Sequence, residues 1–152
     1  MANYNFKQDI IDGENGEQIV LKDLEIMGGK LISDNKNYKY DLLISKDGEL
    51  ITYEIKTDVY CTPERDTGNM FIEFECRGNP SGIMVSEARW FVTLYKGLNE
   101  IWYIKTKELL KLIETETFRK TEQSGDSGSN TRGYLIPRNK FKEHFIIRKN
   151  NV

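Results

Sequence analysis

The sequence predicts an α/β (α+β) domain in which a mixed β-sheet is flanked by helices, and three observations carry that prediction. Asp47-Gly48 stands between two apolar-rich runs, Tyr40 to Ser45 and Leu50 to Thr57, a strong short-range signal for a β-hairpin. Upstream, Val20, Leu24 and Met27 recur at helical spacing with Ile19 alongside. Downstream, Met70-Phe71-Ile72-Glu73-Phe74-Glu75-Cys76 alternates apolar and acidic side chains, the period of a half-buried strand. Helical and extended segments that alternate along a chain suit a sheet with helices on its faces.

The elements follow in order. The first helix is expected from about Glu14 to Met27, with acids near its start to suit the helix dipole and Gly28-Gly29 to end it. Lys30 to Ser33 leads into the hairpin. Val59 to Asn69, with Pro63 and Gly68, reads as a loop, and Arg77 to Gly82 as a turn. Ser86 suits the cap of a helix from Glu87 to Tyr95, whose apolar side would be Trp90, Phe91, Leu94 and Tyr95. Gly97-Leu98-Asn99 turns the chain into a strand, Glu100 to Lys105, and Thr106 caps a short amphipathic helix, Lys107 to Glu114. Residues 123–133, rich in Gly and Ser, read as a mobile loop. Gly133 to Ile147 reads as a closing strand, or as a short helix and strand. No segment repeats, and residues 1–152 are expected to form one domain.

Apolar residues make up 38% of the chain and charged residues 30%, enough for a single core. No apolar run is long enough to span a membrane, and the first six residues lack the basic and apolar regions of a signal peptide; a soluble, cytoplasmic protein is expected. The two cysteines, Cys61 and Cys76, make no disulfide framework, and a single histidine, His144, speaks against zinc clusters and histidine-based triads. The net charge of −2 does not favour nucleic acid, but its distribution matters more. From Arg132 onward the chain carries Arg138, Lys140, Lys142, Arg148 and Lys149 against one acid, Glu143. Such a stretch suits phosphate contacts and equally suits a solvated end.

Within the hairpin the placement of charge carries the functional reading. Side chains two apart on a strand share a face, their Cα atoms about 6.5 Å apart, so Glu54 and Lys56 point the same way. Asp41 stands near the start of the partner strand, directly before Leu42-Leu43-Ile44. Charges on strands otherwise built for a core are costly to bury unless they pair or bind a metal. The competing reading is an ordinary Glu–Lys pair on a solvated strand face.

Asp41 followed by Glu54-Ile55-Lys56 resembles the PD-(D/E)xK nuclease motif, with Tyr40 where the family name has Pro. That superfamily includes type II restriction enzymes, archaeal Holliday-junction resolvases and phage resolvases. The resemblance implies a restriction-endonuclease-like core: a helix, three antiparallel strands, a helix, then a strand parallel to the first. The stretch from Glu14 to Lys105 covers it. The resemblance further implies a first-helix glutamate that reaches the metal site, for which Glu17 is the better match and Glu14 the second. The stretch from Gly68 to Glu73, with Pro80-Ser81-Gly82-Ile83 and Ser86-Glu87-Ala88-Arg89-Trp90, is similar to phage-borne nucleases of this type. Those have Ala-Asp before an aromatic where this chain has Ala88-Arg89-Trp90. Glu73 and Glu75 share a face of their strand, one of them able to face the pocket; Asn69 and Glu73 read as possible pocket residues, and Arg77, Ser81, Arg132, Arg138, Lys140 and Lys142 as DNA contacts.

The implied chemistry is phosphodiester hydrolysis with Mg2+ or Mn2+. Asp41, Glu54, the Ile55 carbonyl and Glu17 offer the oxygens that a hard cation takes, and Lys56 would orient water or stabilise developing charge. Sequence leaves open whether Lys56 is charged. The expected enzyme is a structure-selective DNA endonuclease, similar to a phage-type Holliday-junction resolvase, acting on branched or duplex DNA. Symmetric cleavage of two strands favours a homodimer. The alternatives are a restriction-type or general DNA nuclease, and a DNA-binding module of the same fold without chemistry. A glycosidase-like carboxylate pair lacks an aromatic cleft signature. The aromatics Trp90, Phe91, Trp102 and Tyr103 read as core in preference to interface.

Overall fold

A computed structural model describes residues 6–34, 39–121 and 130–150. Helix α1, Phe6–Ile26, lays Val20, Leu21 and Leu24 on one face of a sheet. The strands are β1 (Lys30–Ser33), β2 (Leu42–Lys46), β3 (Glu49–Asp58), β4 (Asn69–Cys76), β5 (Asn79–Pro80), β6 (Trp90–Tyr95), β7 (Glu100–Lys105), β8 (Arg119–Lys120), β9 (Thr131–Pro137) and β10 (Ile146–Lys149). Helix α2 spans Thr106–Thr115 and the single turn α3 spans Arg138–Phe141.

Six strands form the main sheet in the order β1-β2-β3-β6-β7-β10. Its pairs are antiparallel except β3 with β6, which run parallel. The fold is therefore the expected α+β class, a mixed sheet flanked by helices. Beneath α1 lies one apolar layer, in which Ile51, Tyr53 and Ile55 of β3 join Val92, Leu94, Ile101 and Tyr103. The opposite face, carrying Phe91, Tyr95, Trp102 and Ile104, is covered by Leu109 and Leu112 of α2 and by a second sheet, β5-β4-β9-β8, through Met70, Ile72 and Ile136. Among the described residues no helix is long and apolar enough to cross a membrane.

The hairpin forms as predicted. β2 and β3 pair from Leu42↔Tyr53 to Lys46↔Glu49, and Asp47 and Gly48 both take positive φ (51° and 80°) in the two-residue turn, which is why an Asp-Gly pair stands there. The strand at Glu100–Lys105 and the helix after it also form, although Thr106 is the first residue of α2 and not its cap; Lys105 holds the cap position. The first helix ends where the glycines predict, Gly29 N–H donating to the Leu24 carbonyl at 2.8 Å, but begins earlier, at Phe6.

Two expectations fail for tertiary reasons, and a third lies mostly outside the described residues. The helix expected over Glu87 to Tyr95 is instead strand β6. It is central to the sheet and buried on both faces, and such a strand gives a continuous apolar run whose period does not separate it from a buried helix. Ser86 caps no helix; its Oγ accepts from Ala88 N–H and donates to the Lys39 carbonyl. Met70–Cys76 is a strand as expected, but it pairs with β9 in the second sheet, so the three antiparallel strands of the core are β1, β2 and β3. Finally, of the loop expected over 123–133, Thr131 to Gly133 belong to β9, and residues 123–129 lie outside the described residues.

Candidate active site

β3 places the site. Its odd-numbered side chains, Ile51, Tyr53 and Ile55, enter the core under α1, so Glu54 and Lys56 emerge on the other face, level with Phe91 and Thr93 of β6. β2 begins at Leu42 opposite Tyr53, which sets Asp41 beside Glu54 where the ladder starts. There the Asp41 N–H donates to the Tyr53 carbonyl at 2.9 Å, and Asp41 Oδ2 accepts the Ile55 N–H at 2.8 Å. Asp41 is thereby fixed at a strand edge, with its carboxylate turned to β3. The N–H and C=O of one strand residue point to the same side, so the Ile55 carbonyl faces this same edge, beyond the last β2 partner.

Glu54 is nearly enclosed, its side chain 13% exposed, and its Oε2 lies 3.2 Å from Lys56 Nζ; the Lys56 side chain is 48% exposed. Burial pushes the Glu54 carboxyl up. Lys56 opposes that, and the negative charges of Asp41 and Glu17 reinforce it. Desolvation works against the Lys56 ammonium, but the carboxylates of Glu54, Glu73 and Asp41 outweigh it and hold its pKa above the usual lysine value. The carboxylates thus favour the ammonium form of Lys56, which suits charge stabilisation.

Glu17 reaches this neighbourhood from α1 because of a glycine. A Cβ on Gly16 would lie 1.9 Å from Thr57 Oγ1, so only glycine lets the helix cross β3 this closely, one residue from Lys56. Glu17 is buried, 8% exposed, while Glu14 is exposed. Glu73, on β4, lines a cleft together with Lys56.

The structure thus gathers Glu17, Asp41, Glu54, Lys56 and Glu73. Asn69 is elsewhere, lining a separate depression with Phe118, Pro137 and Lys140. Among the described residues, no three His, Cys, Asp or Glu side chains stand close enough together to enclose a metal ion. Two neighbouring carboxylates and a main-chain carbonyl are nevertheless an all-oxygen donor set, and Glu54, raised first by burial and further by the charges of Asp41 and Glu17, gains from a cation beside it. Both features fit a hard divalent ion that keeps much of its water.

The expected DNA contacts divide. Arg138 is buried, paired with Asp66 and stacked on Tyr95 and Trp102, its guanidinium carbon 4.7 and 5.8 Å from their ring centroids; it holds the 59–68 loop to the core and is not available to phosphate. Ser81 has its hydroxyl buried. Arg132 lies over Phe74 at 5.3 Å and 3.4 Å from the Glu75 carboxylate. Arg77, Lys140 and Lys142 are exposed. Arg77 stands at one end of the β4–β9 pair and the two lysines beyond the other. Sequence reasoning passed over Tyr60 and Phe71, which also line the cleft at Lys56. Tyr60 sat in a stretch that Pro and Gly mark as loop, and the one available signal was an aromatic placed four residues after Lys56.

No protein-family model matches the sequence, and no curated protein sequence matches it. Among solved structures, a bacterial homing endonuclease, I-Ssp6803I, aligns with a TM-score of 0.50 and 17% identity over 71% of this chain and 70% of that one. At that identity the likeness is one of fold: both chains share a mixed α+β sheet flanked by helices.

Proposed function

We propose that this protein is a metal-dependent DNA endonuclease of the PD-(D/E)xK type, structure-selective in the manner of a phage-type Holliday-junction resolvase and active as a homodimer. One observation carries the reading: Asp41, just before β2, is tied to β3 beside Glu54 by its Oδ2 accepting the Ile55 N–H at 2.8 Å, while Lys56 Nζ stands 3.2 Å from Glu54. The likeness in fold to a homing endonuclease supports the reading.

Asp41, Glu54 and the Ile55 carbonyl would hold Mg2+ or Mn2+, with Glu17 closing the set from the helix. A divalent ion bound there supplies Lewis acidity to water and phosphate. Lys56, charged and half exposed, stabilises the negative charge that grows on the phosphate, and Glu54 keeps its ammonium in place. Exposed basic residues, Lys140, Lys142 and Arg77, would supply the sequence-independent part of binding.

The test is a panel of four-way junction, flap, duplex and single-stranded DNA incubated with Mg2+ or Mn2+, beside Lys56→Ala. The expected result is cleavage that needs the metal, favours branched DNA and vanishes in the variant. Absence of cleavage across the whole panel with both metals would sink the reading.

A further inference from the structure

We propose that the cleft beside Lys56 is a pocket for one unpaired nucleobase, with Tyr60 and Phe71 as its aromatic walls. The proposal rests on the nuclease reading for its biological setting and adds a substrate class to it: DNA that already carries an unpaired nucleotide beside the cut.

The cleft has a volume of about 300 Å3 and is lined by Lys56, Asp58, Tyr60, Phe71 and Glu73 above a floor that includes Phe91. That is the small end of the range for ligand pockets, about 300–1,000 Å3, and suits one planar ring. Its aromatic walls are accessible, Tyr60 being 73% exposed and Phe71 39%. Tyr60 is also held in place. Asp58 Oδ1 accepts the N–H groups of both Tyr60 and Cys61 at 2.9 Å, and Cys61 is buried in the core. A capped turn therefore presents the ring on a fixed backbone, and a platform ordered in advance loses little freedom on binding.

The two carboxylates of the lining, Asp58 and Glu73, outnumber the one ammonium, Lys56, which Glu54 holds at 3.2 Å, and this net acidic lining favours a base over a phosphate. Asp58 and Glu73 repel phosphate, and carboxylates accept hydrogen bonds from the exocyclic amines of bases. Base-on-aromatic stacking tolerates any sequence. A base inside a duplex reaches such a pocket only by leaving its stack, at a cost that is least when the base is unpaired. Branch points and bulges provide such bases, and continuous duplex does not.

The experiment measures binding of the full chain by fluorescence anisotropy in Ca2+. Three duplexes are compared: one with a single bulged adenine, one with a bulged abasic site, and one without a bulge. Wild type should bind the bulged adenine roughly five- to a hundredfold tighter than the abasic bulge, the range for one stacked base. Tyr60→Ala should erase that difference while leaving affinity for the continuous duplex unchanged, and Tyr60→Trp should preserve it. Tyr60 is exposed, so neither change threatens the fold, which melting curves will verify. Equal affinity of wild type for adenine and abasic bulges, or a Tyr60→Ala variant that weakens all three duplexes alike, overturns the pocket. Cleavage in Mg2+ with no such discrimination overturns the pocket and leaves the nuclease reading standing. Discrimination without cleavage does the reverse.

Discussion

Glu17 and Asp23 lie under two turns apart on the same helix and are buried alike, 8% and 7% exposed, but they meet opposite surroundings. Asp23 meets donors. The Tyr103 hydroxyl donates to its Oδ2 at 2.8 Å, and Arg148 Nε donates to both oxygens at 3.0 and 2.8 Å. One carboxylate thus ties α1 to β7 and β10. Glu17 sits where acids gather, and its charge is among those that raise the pKa of Glu54. A buried acid answered by a cation completes a structural joint. Glu17 instead adds its negative charge to those around Glu54, and carboxylates brought together in this way attract a cation from solution. The same helix therefore holds the sheet with one end of its buried face and brings a carboxylate toward Glu54 with the other.

The largest effect expected under this contrast comes from the acidic cluster. Lys56→Ala should lower cleavage about a hundredfold to a thousandfold, the usual loss for one donor to transition-state charge. Binding, measured in Ca2+, should hold, because one ammonium among carboxylates adds little to phosphate affinity. The melting temperature should also hold, since the side chain is half exposed. Equal losses of binding and cleavage would make Lys56 a phosphate anchor or a structural residue.

Asp23→Ala should act on the other side of the contrast. It leaves the Tyr103 hydroxyl and the Arg148 guanidinium without their acceptor, and removing one partner of such a pair costs about 3 kcal/mol, the low end of the range because Arg148 is partly exposed. For a domain of this size that is a fall of roughly 6–12 °C in melting temperature. Cleavage per folded molecule should not change. A variant that melts normally but cuts poorly would reverse the assignments of the two acids.

What the sequence disclosed about this pair follows from what each residue needs. The hairpin, the end of α1 and the site residues Asp41, Glu54 and Lys56 rest on local spacing and turn chemistry, which the sequence displays directly. Glu17 emerged from its place beside the helical stripe together with the family resemblance. Asp23 gave no signal, because its partners are 80 and 125 positions away. Arg138 was misread for the same reason: a cation in a basic stretch looks like a phosphate contact until Asp66, 72 positions distant, is seen beside it. β6 was misread because burial on both faces arises only once β3, β7, α1 and the second sheet have assembled.

Glu17→Gln sharpens the contrast at smaller amplitude. Cleavage should fall about tenfold, the low end of the range for residues that support a metal site. The pH dependence carries the sign. Glu54 has a folded-state pKa raised above its ordinary 4.5, so the folded chain binds the more protons, and this group's contribution to stability falls as pH rises from about 4.5 through the raised value. Removing the charge at position 17 relieves one cause of that shift and should flatten the fall. Asp66 runs the other way. Its hydrogen bond from Arg138 lowers its pKa, so its contribution is present above the ordinary aspartate value and is lost as pH falls through the lowered one. An unaltered pH profile of stability in Glu17→Gln would remove Glu17 from the cluster.

The smallest effect concerns the exposed cations, where the contrast between structural and functional charge recurs within a few residues. Arg138 is answered by Asp66 and two aromatic rings, whereas Lys140 and Lys142 are exposed. If the lysines contact phosphate, Lys140→Ala and Lys142→Ala should each reduce the slope of log affinity against log salt by about 0.9 on duplex DNA, with no change in melting temperature. Arg138→Ala should instead lower the melting temperature and leave the slope of the folded fraction alone. Geometry adds a length requirement. Arg77 stands at the far end of β4, and the rise of an eight-residue strand separates the two ends by about 23 Å. One duplex must span about seven base pairs, at about 3.4 Å each, to meet both. Arg77→Ala and the lysine variants should therefore lower the slope additively on long duplexes, and on a duplex of about five base pairs only one end should contribute at a time. A slope that ignores both lysines at every length would make them solubilising residues and shift the binding surface to the Arg77 end of the second sheet.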